Sequence, residues 1–267
     1  MRFLLPMGAA LAFLAAAPAQ ADTTARYGGA GNQAPTVSIA VDEAGQVHVE
    51  GGQPNQPDQR MVLITRGGVG YFSGQDVQGS FVARQDDMLA VVNDAIRRAM
   101  PVAVREALAH VAQARFEIVE GGIETVAGRR GRVYTLQAIV PPAPVPASAH
   151  GGDGTENPDA PPPPFEMVIS DDPELAPVGR ELARLFASGG PLIEAVLGAV
   201  PEAVTQMQSL LARGTPIRIG DQFHLSSVSA APIPDRVFAL PATPLTRAQL
   251  AERMPASFAA SARPRSD

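Results

Sequence analysis

Alternating apolar and polar residues mark short strands in the first third of the chain. Val37, Ile39 and Val41 alternate with small polar side chains, and residues 47–50 repeat the alternation after a turn. A period of two residues is typical of a half-buried strand, so these runs predict a β-hairpin within an antiparallel meander over 36–84. Further runs of this kind lie at 61–65, 69–73 and 80–84.

The apolar spacing changes to three and four residues after Asp86. Leu89, Val92 and Ile96 share one face of a predicted helix, and an aspartate at position 86 or 87 caps it. Beyond Pro101 we expect the helical pattern to restart. A second helix is predicted from Asp172, with Pro173 at its first position.

This helix is the first of two amphipathic helices expected in the last third, and a break at Gly189-Gly190-Pro191 separates it from the second. We expect both to lay their apolar faces on the sheet. The remaining runs with strand character lie at 116–120, 124–126, 132–140, 165–170, 216–219, 222–229 and 237–240, with a hairpin turn at 128–131.

The first 21 residues have the pattern of a secretory signal peptide. Arg2 precedes an apolar stretch from 3 to 17, and Ala19-Gln20-Ala21 supplies the small residues that signal peptidase recognises. We therefore expect cleavage after Ala21, a periplasmic mature protein and no integral membrane span after cleavage. The chain has no cysteine, so neither a lipid anchor on cysteine nor a disulfide is available to it.

Composition divides the rest of the chain. Residues 141–164 are mostly proline, alanine, glycine and small acids and end in four prolines, which predicts a flexible insertion with little to bury. We expect a single α+β domain over 22–254 that contains this insertion, and a disordered tail over 255–267.

Charge and motifs exclude several functions. The net charge is -6, which disfavours nucleic-acid binding. The chain lacks the nucleophile-elbow, phosphate-loop and zinc-protease motifs, so we expect a non-enzymatic protein without a cofactor. His48 and Glu50 project from the same face of a strand, but no third metal ligand can be named, so no metal site is predicted. The cluster Arg129, Arg130 and Arg132 either contacts a lipid headgroup or an acidic partner, or is a solvated basic turn.

Three segments carry a resemblance to a known family. They are Gly128 to Tyr134, Phe165 to Pro173, and Ser226 to Ser229 followed by Pro234 to Pro241. Their order resembles exported bacterial proteins of unknown function that are similar to the lipoprotein-localisation carriers, the LolA-like superfamily.

The resemblance implies a strongly curved antiparallel β-sheet, an incomplete barrel, whose concave face is covered by amphipathic helices. Such an architecture leaves an apolar cavity for acyl chains. Candidate residues of the helical lid that would line it are Leu182, Leu185, Val196, Leu197, Met207 and Leu211.

Two main functional hypotheses follow, and a secreted hydrolase without a recognised motif is a third. The first is a periplasmic, non-enzymatic binding protein for an apolar or acyl-bearing ligand, a lipid or lipoprotein carrier-like protein. The alternative is an envelope protein–protein interaction module with a filled core and no ligand, in which the proline-rich segment 141–164 offers a partner protein an extended strand.

Overall fold

In the part of the chain that the structure describes, an open antiparallel sheet of eleven strands is accompanied by four helices. The computed structural model describes residues 22–29, 35–53, 56–76, 78–99, 115–139, 164–197 and 201–253. The predicted α+β class is confirmed. The strands are β1 Thr23–Gly28, β2 Thr36–Val41, β3 Val47–Gln53, β4 Gln56–Arg66, β5 Val69–Asp76, β6 Gly79–Arg84, β7 Arg115–Val126, β8 Arg129–Ile139, β9 Phe165–Ser170, β10 Thr215–Ile219 and β11 Phe223–Ser229. The helices are α1 Gln85–Ala99, α2 Ala176–Leu197, α3 Pro201–Leu211 and α4 Arg247–Arg253, with a 3-10 helix at Asp235–Phe238.

The sheet consists of two meanders joined in the middle. Its strand order is β6-β5-β4-β3-β2-β1-β11-β10-β9-β8-β7, so the first strand lies beside the last. Thr24 pairs with Ser229 and Arg26 with Ser227, and a β-bulge follows Arg26. The predicted meander over 36–84 is confirmed as β2 to β6. Strand β1, which the apolar pattern did not reveal, connects this meander to the C-terminal strands.

The β7–β8 hairpin has a shorter turn and longer strands than the sequence pattern indicates. The predicted strands at 116–120 and 124–126 are one strand, with a bulge between Glu120 and Ile123. The predicted turn at 128–131 is wrong, because the turn is made by Ala127 and Gly128, whose φ angles are 48° and 77°. Two positive φ angles suit the right-handed twist of a two-residue hairpin.

Helix boundaries differ from the predictions at three places. Helix α1 begins at Gln85, so Asp86 and Asp87 lie in its first turn and neither is its cap. Asp172 does not cap α2 directly: its carboxylate accepts a hydrogen bond from the Glu174 N–H at 3.0 Å, in a turn that precedes the helix start at Ala176. The predicted break at Gly189-Gly190-Pro191 is also wrong, since α2 runs through it. Helix α2 contacts both α1 and α3, and such packing overrides local helix propensity.

The C-terminal part of the described chain also departs from expectation. The run 237–240 is not a strand, because residues 235–238 form the 3-10 helix between Pro234 and Ala239. Helix α4 was not predicted. Leu245, which precedes α4, forms an isolated parallel bridge with Ala83 of β6, the edge strand of the sheet.

The two larger hydrophobic clusters pack the sheet against the helices. In the first, Tyr27 is 4% exposed and its hydroxyl donates to the Pro216 carbonyl at 2.9 Å. Burial raises the pKa of this tyrosine. The first cluster comprises Ala25, Tyr27, Ile39, Val41, Val47, Val168, Leu175, Val178, Ile217 and Leu225. The second comprises Tyr134, Met167, Ile169, Leu210 and Leu211.

Several expectations fall on residues outside those that the structure describes. They concern the signal peptide at 1–21, the helical restart beyond Pro101, the insertion at 141–163 and the tail from 255. Within the described ranges, none of the helices combines the length and the apolar character that crossing a bilayer requires.

The β7–β8 hairpin approaches β9 too closely for a side chain at Gly131. A Cβ atom there would lie 2.8 Å from both the Ile169 carbonyl oxygen and the Val168 Cγ1 atom. We expect Gly131→Ala to lower the free energy of unfolding by about 2 kcal/mol, a shift in melting temperature of about 6 °C. Gly122→Ala in the same hairpin is the control, because no atom lies within 4 Å of its Cβ position. Equal melting temperatures for the two variants would contradict the close packing.

Candidate functional site

A C-terminal segment crosses one face of the sheet after β11. We call residues 230–241 the strap. Its 3-10 helix contacts β3 and β4, and Phe238 is 2% exposed. Near its start, the Ile233 N–H donates to the Asp22 carboxylate. Ile233 and Val237 are half-buried, whereas most other strap residues are exposed. The strap is therefore anchored through a few side chains and lies loosely elsewhere.

The chain beyond the strap is fastened at the edge of the sheet. The Leu245 N–H donates to the Val82 carbonyl at 2.8 Å, and Leu250 of α4 packs with Val91 of α1. Arg253 then binds Asp76 through two hydrogen bonds, from Nε at 2.7 Å and from Nη2 at 2.8 Å. Its guanidinium also lies over the Phe81 ring. This bidentate contact lowers the pKa of Asp76 below its ordinary value.

Between the strap and the sheet lies a cleft of about 780 Å³. We call it the strap cleft. Its volume falls in the range of small-molecule sites. The sheet side is formed by Thr24, Arg26, Ser38, Ala40, His48, Glu50, Val62, Ile64, Ser73, Ser227, Val228 and Ser229, and the strap side by Ala231, Pro232, Ile233, Pro234, Arg236, Val237, Ala239 and Pro241.

Strand alternation explains which residues face the strap cleft. Inward positions of β1 to β4 are occupied by core residues such as Ile39 and Leu63, so the intervening residues face the other side. They form two registered rows across the strands. The first row is Arg26, Ser38, Glu50 and Val62, and the second is Thr24, Ala40, His48 and Ile64.

The floor of the strap cleft changes character across the sheet. At β1 and β11 it is hydroxyl-rich, through Thr24, Ser227 and Ser229, whereas at β4 it is apolar, through Val62 and Ile64. Ile64 is 2% exposed. The cleft is therefore amphipathic along the direction that runs from the centre of the sheet towards β4.

Only some of the charged side chains in the strap cleft form ion pairs with other described residues. Glu50 forms an ion pair with Arg60, which lines an adjoining cavity of about 690 Å³. Burial lowers the pKa of His48 from 6.5; the nearby Glu50 opposes this shift and Arg60 adds to it. Arg26 and Arg236 are exposed and have no ion-pair partner among the described residues.

The predicted lid residues lie in the helices and pack against the two core clusters where their surroundings are described. Leu182 packs against the first cluster, Met207 packs against the second, and Leu211 belongs to the second and is 7% exposed. Leu185 is half-buried. Val196 and Leu197 lie in α2, but their side chains are outside the described part. That these six residues line a ligand cavity stays a prediction.

Other candidates from the sequence serve as local contacts. His48 and Glu50 share one strand face, as the alternation predicts, and the ion pair with Arg60 occupies Glu50. Arg129 pairs with Asp172 and Glu174, and Arg132 pairs with Glu120 at 2.8 Å. Of that arginine cluster, two members thus bind carboxylates within the protein.

The strap cleft itself was not predicted from the sequence. Its signal is present in retrospect, because Pro232, Pro234 and Pro241 interrupt a run that otherwise has the apolar character of a strand. Proline cannot donate to a strand ladder, so such a run more often lies across a sheet than within it.

Comparison with known proteins adds no identification. No protein-family model matches the chain, and no curated protein matches it as a relative. The functional conclusion therefore depends on the site alone.

The burial of His48 makes stability dependent on pH. Because its pKa in the folded protein is lowered, the unfolded chain takes up a proton first as the pH falls through 6.5. We expect melting temperature to fall between pH 7.5 and 5.5, and to fall less in His48→Gln. Thermal unfolding across this range measures the difference, and identical slopes would show that His48 is not the responsible group.

The contact of Arg253 with Asp76 holds the chain beyond the strap, so weakening it should loosen the strap. Arg253→Lys retains the charge but not the two-pronged geometry, so we expect a loss of about 1 kcal/mol and about 3 °C. Trypsin should also cut faster after Arg236. Arg247→Lys, at an exposed position of α4, is the matched control. Unchanged cleavage of Arg253→Lys would mean that the clamp does not restrain the strap.

Proposed function

We propose that this chain is an exported, periplasmic, non-enzymatic binding protein for an apolar or acyl-bearing ligand. The observation that carries the proposal is the strap cleft. It combines a volume of about 780 Å³ with an apolar end and a hydroxyl-rich end. Sites for small molecules commonly have this mixture of apolar walls and a few polar groups.

The arrangement of the helices supports a curved, barrel-like sheet within this proposal. Helix α1 contacts β5 and β6, α2 contacts β1, β2 and β10, and α3 contacts β7. Helix α2 also contacts both of the others, so the three form a continuous layer. We propose that this layer covers the concave face of the sheet. The strap cleft then lies on the opposite, convex face.

The packing of the helices favours the strap cleft over a cavity beneath the helical lid. Leu182, Met207 and Leu211 already have apolar neighbours in the core clusters. Apolar side chains that pack in this way stabilise the fold and leave less room for an acyl chain. We therefore place the ligand under the strap.

Within this proposal the ligand is bound and released unchanged. The half-buried imidazole of His48 serves as part of the floor of the cleft.

Filling the apolar end of the cleft should abolish binding. Ser73 lines the cleft and pairs with Val62 across the strands. We expect Ser73→Phe to eliminate saturable binding of monolaurin, an uncharged acyl ligand, to protein freed of lipid. Calorimetric titration below the micellar concentration measures this.

Ser209→Phe provides the same substitution at an exposed position of α3. It should retain the affinity of the unmodified protein. Loss of binding in Ser73→Phe counts only if its melting temperature stays close to that of the unmodified protein. Absence of binding of both monolaurin and lauric acid to the unmodified protein would overturn the proposed function, and full binding of monolaurin by a folded Ser73→Phe would place the ligand elsewhere.

A further inference from the structure

Arg26 holds an unusual position in the floor of the strap cleft. It lies in β1 directly beside a β-bulge, where the pairing with β11 shifts register. Bulges alter the direction of side chains and are common near functional sites. Arg26 also lines the adjoining cavity of about 690 Å³, so its side chain borders both spaces.

Two serines flank Arg26 on the neighbouring strands. Ser38 of β2 and Ser227 of β11 are its registered partners, so their Cβ atoms lie roughly 5 Å from its own. In the described part of the chain, the hydroxyls of Ser38 and Ser227 make no hydrogen bond. An arginine between two available hydroxyls offers several hydrogen-bond donors to one anion.

The acidic side chain in the same row of the cleft floor does not neutralise Arg26. Glu50 lies one strand beyond Ser38 in the same row, but it pairs with Arg60. Arg236 adds a second positive charge from the strap side of the cleft. The cleft is thus positively charged within a protein whose net charge is -6.

We propose that the strap cleft binds an amphiphile with an acyl chain and an anionic head, a carboxylate or a phosphate. The head is held by Arg26 with Ser38 and Ser227, and the acyl chain extends towards Val62 and Ile64 at β4. The three strand spacings from β1 to β4 give a path of roughly 14 Å. This inference rests on the proposed function and names its ligand class.

The test compares ligands that share one chain and differ in the head. Lauric acid and dodecyl phosphate carry the anionic heads, monolaurin carries an uncharged head, and inorganic phosphate carries no chain. We expect the unmodified protein to bind the two anionic amphiphiles about tenfold more tightly than monolaurin. Arg26→Gln should lose that preference, so that its affinities for lauric acid and monolaurin become similar.

Two variants make the result specific. Arg247→Gln removes the same charge from an exposed site on α4, outside the cleft, and should retain the preference. The double variant Ser38→Ala with Ser227→Ala keeps Arg26. It should lower the affinity for the anionic amphiphiles by a smaller factor than Arg26→Gln does.

The outcomes separate this inference from the proposed function. If the unmodified protein and Arg26→Gln both bind lauric acid and monolaurin with equal affinity, the protein does not recognise an anionic head group. The proposed acyl-binding function would be unaffected by that result. If inorganic phosphate binds as tightly as dodecyl phosphate, the alkyl chain does not contribute to binding. That result would overturn the proposed amphiphile and identify a phosphate site. If no amphiphile binds, both proposals fail together.

Discussion

The pairing of β1 with β11 holds the two halves of the sheet together. Every other neighbouring pair in the described sheet joins strands that follow one another along the chain, whereas this pair brings together residues about 200 positions apart. Bringing such distant segments into contact has a large entropic cost, which local patterns cannot offset. The buried Tyr27 reinforces this junction, since its hydroxyl reaches Pro216 in β10, on the far side of β11.

The site is a consequence of that junction. Because β11 lies at the centre of the sheet, the strap that follows it must cross the first meander before it reaches the edge at β6. The crossing places Phe238 against β3 and β4 and leaves the strap cleft between its anchors. The same path brings Leu245 to β6 and covers one edge of the sheet, which would otherwise present unpaired backbone groups.

Local patterns predicted most strands of the first meander, the strands of the last third up to β11, and the shared face of His48 and Glu50. They missed β1, because Thr23 to Gly28 contains few apolar residues and is stabilised by its partners on both sides. The predicted break in α2 failed for a related reason, since contacts with α1 and α3 outweigh the local effect of glycine and proline. The cleft could not be predicted, because Arg26, Ser38 and Ser227 become neighbours only through the pairing of distant strands.

Stability of the fold favours a tightly packed strap, whereas access of a ligand to the cleft favours a loosely packed one. A strap packed along its whole length would seal the cleft, whereas one without anchors would not form a cleft at all. The structure combines a single fully buried strap side chain, Phe238, with the clamp between Arg253 and Asp76 beyond the strap. Local opening has a lower free-energy cost where few apolar contacts must be broken. The exposed residues of the strap therefore require less energy to lift than the segment around Phe238, so the cleft can open while the strap stays anchored.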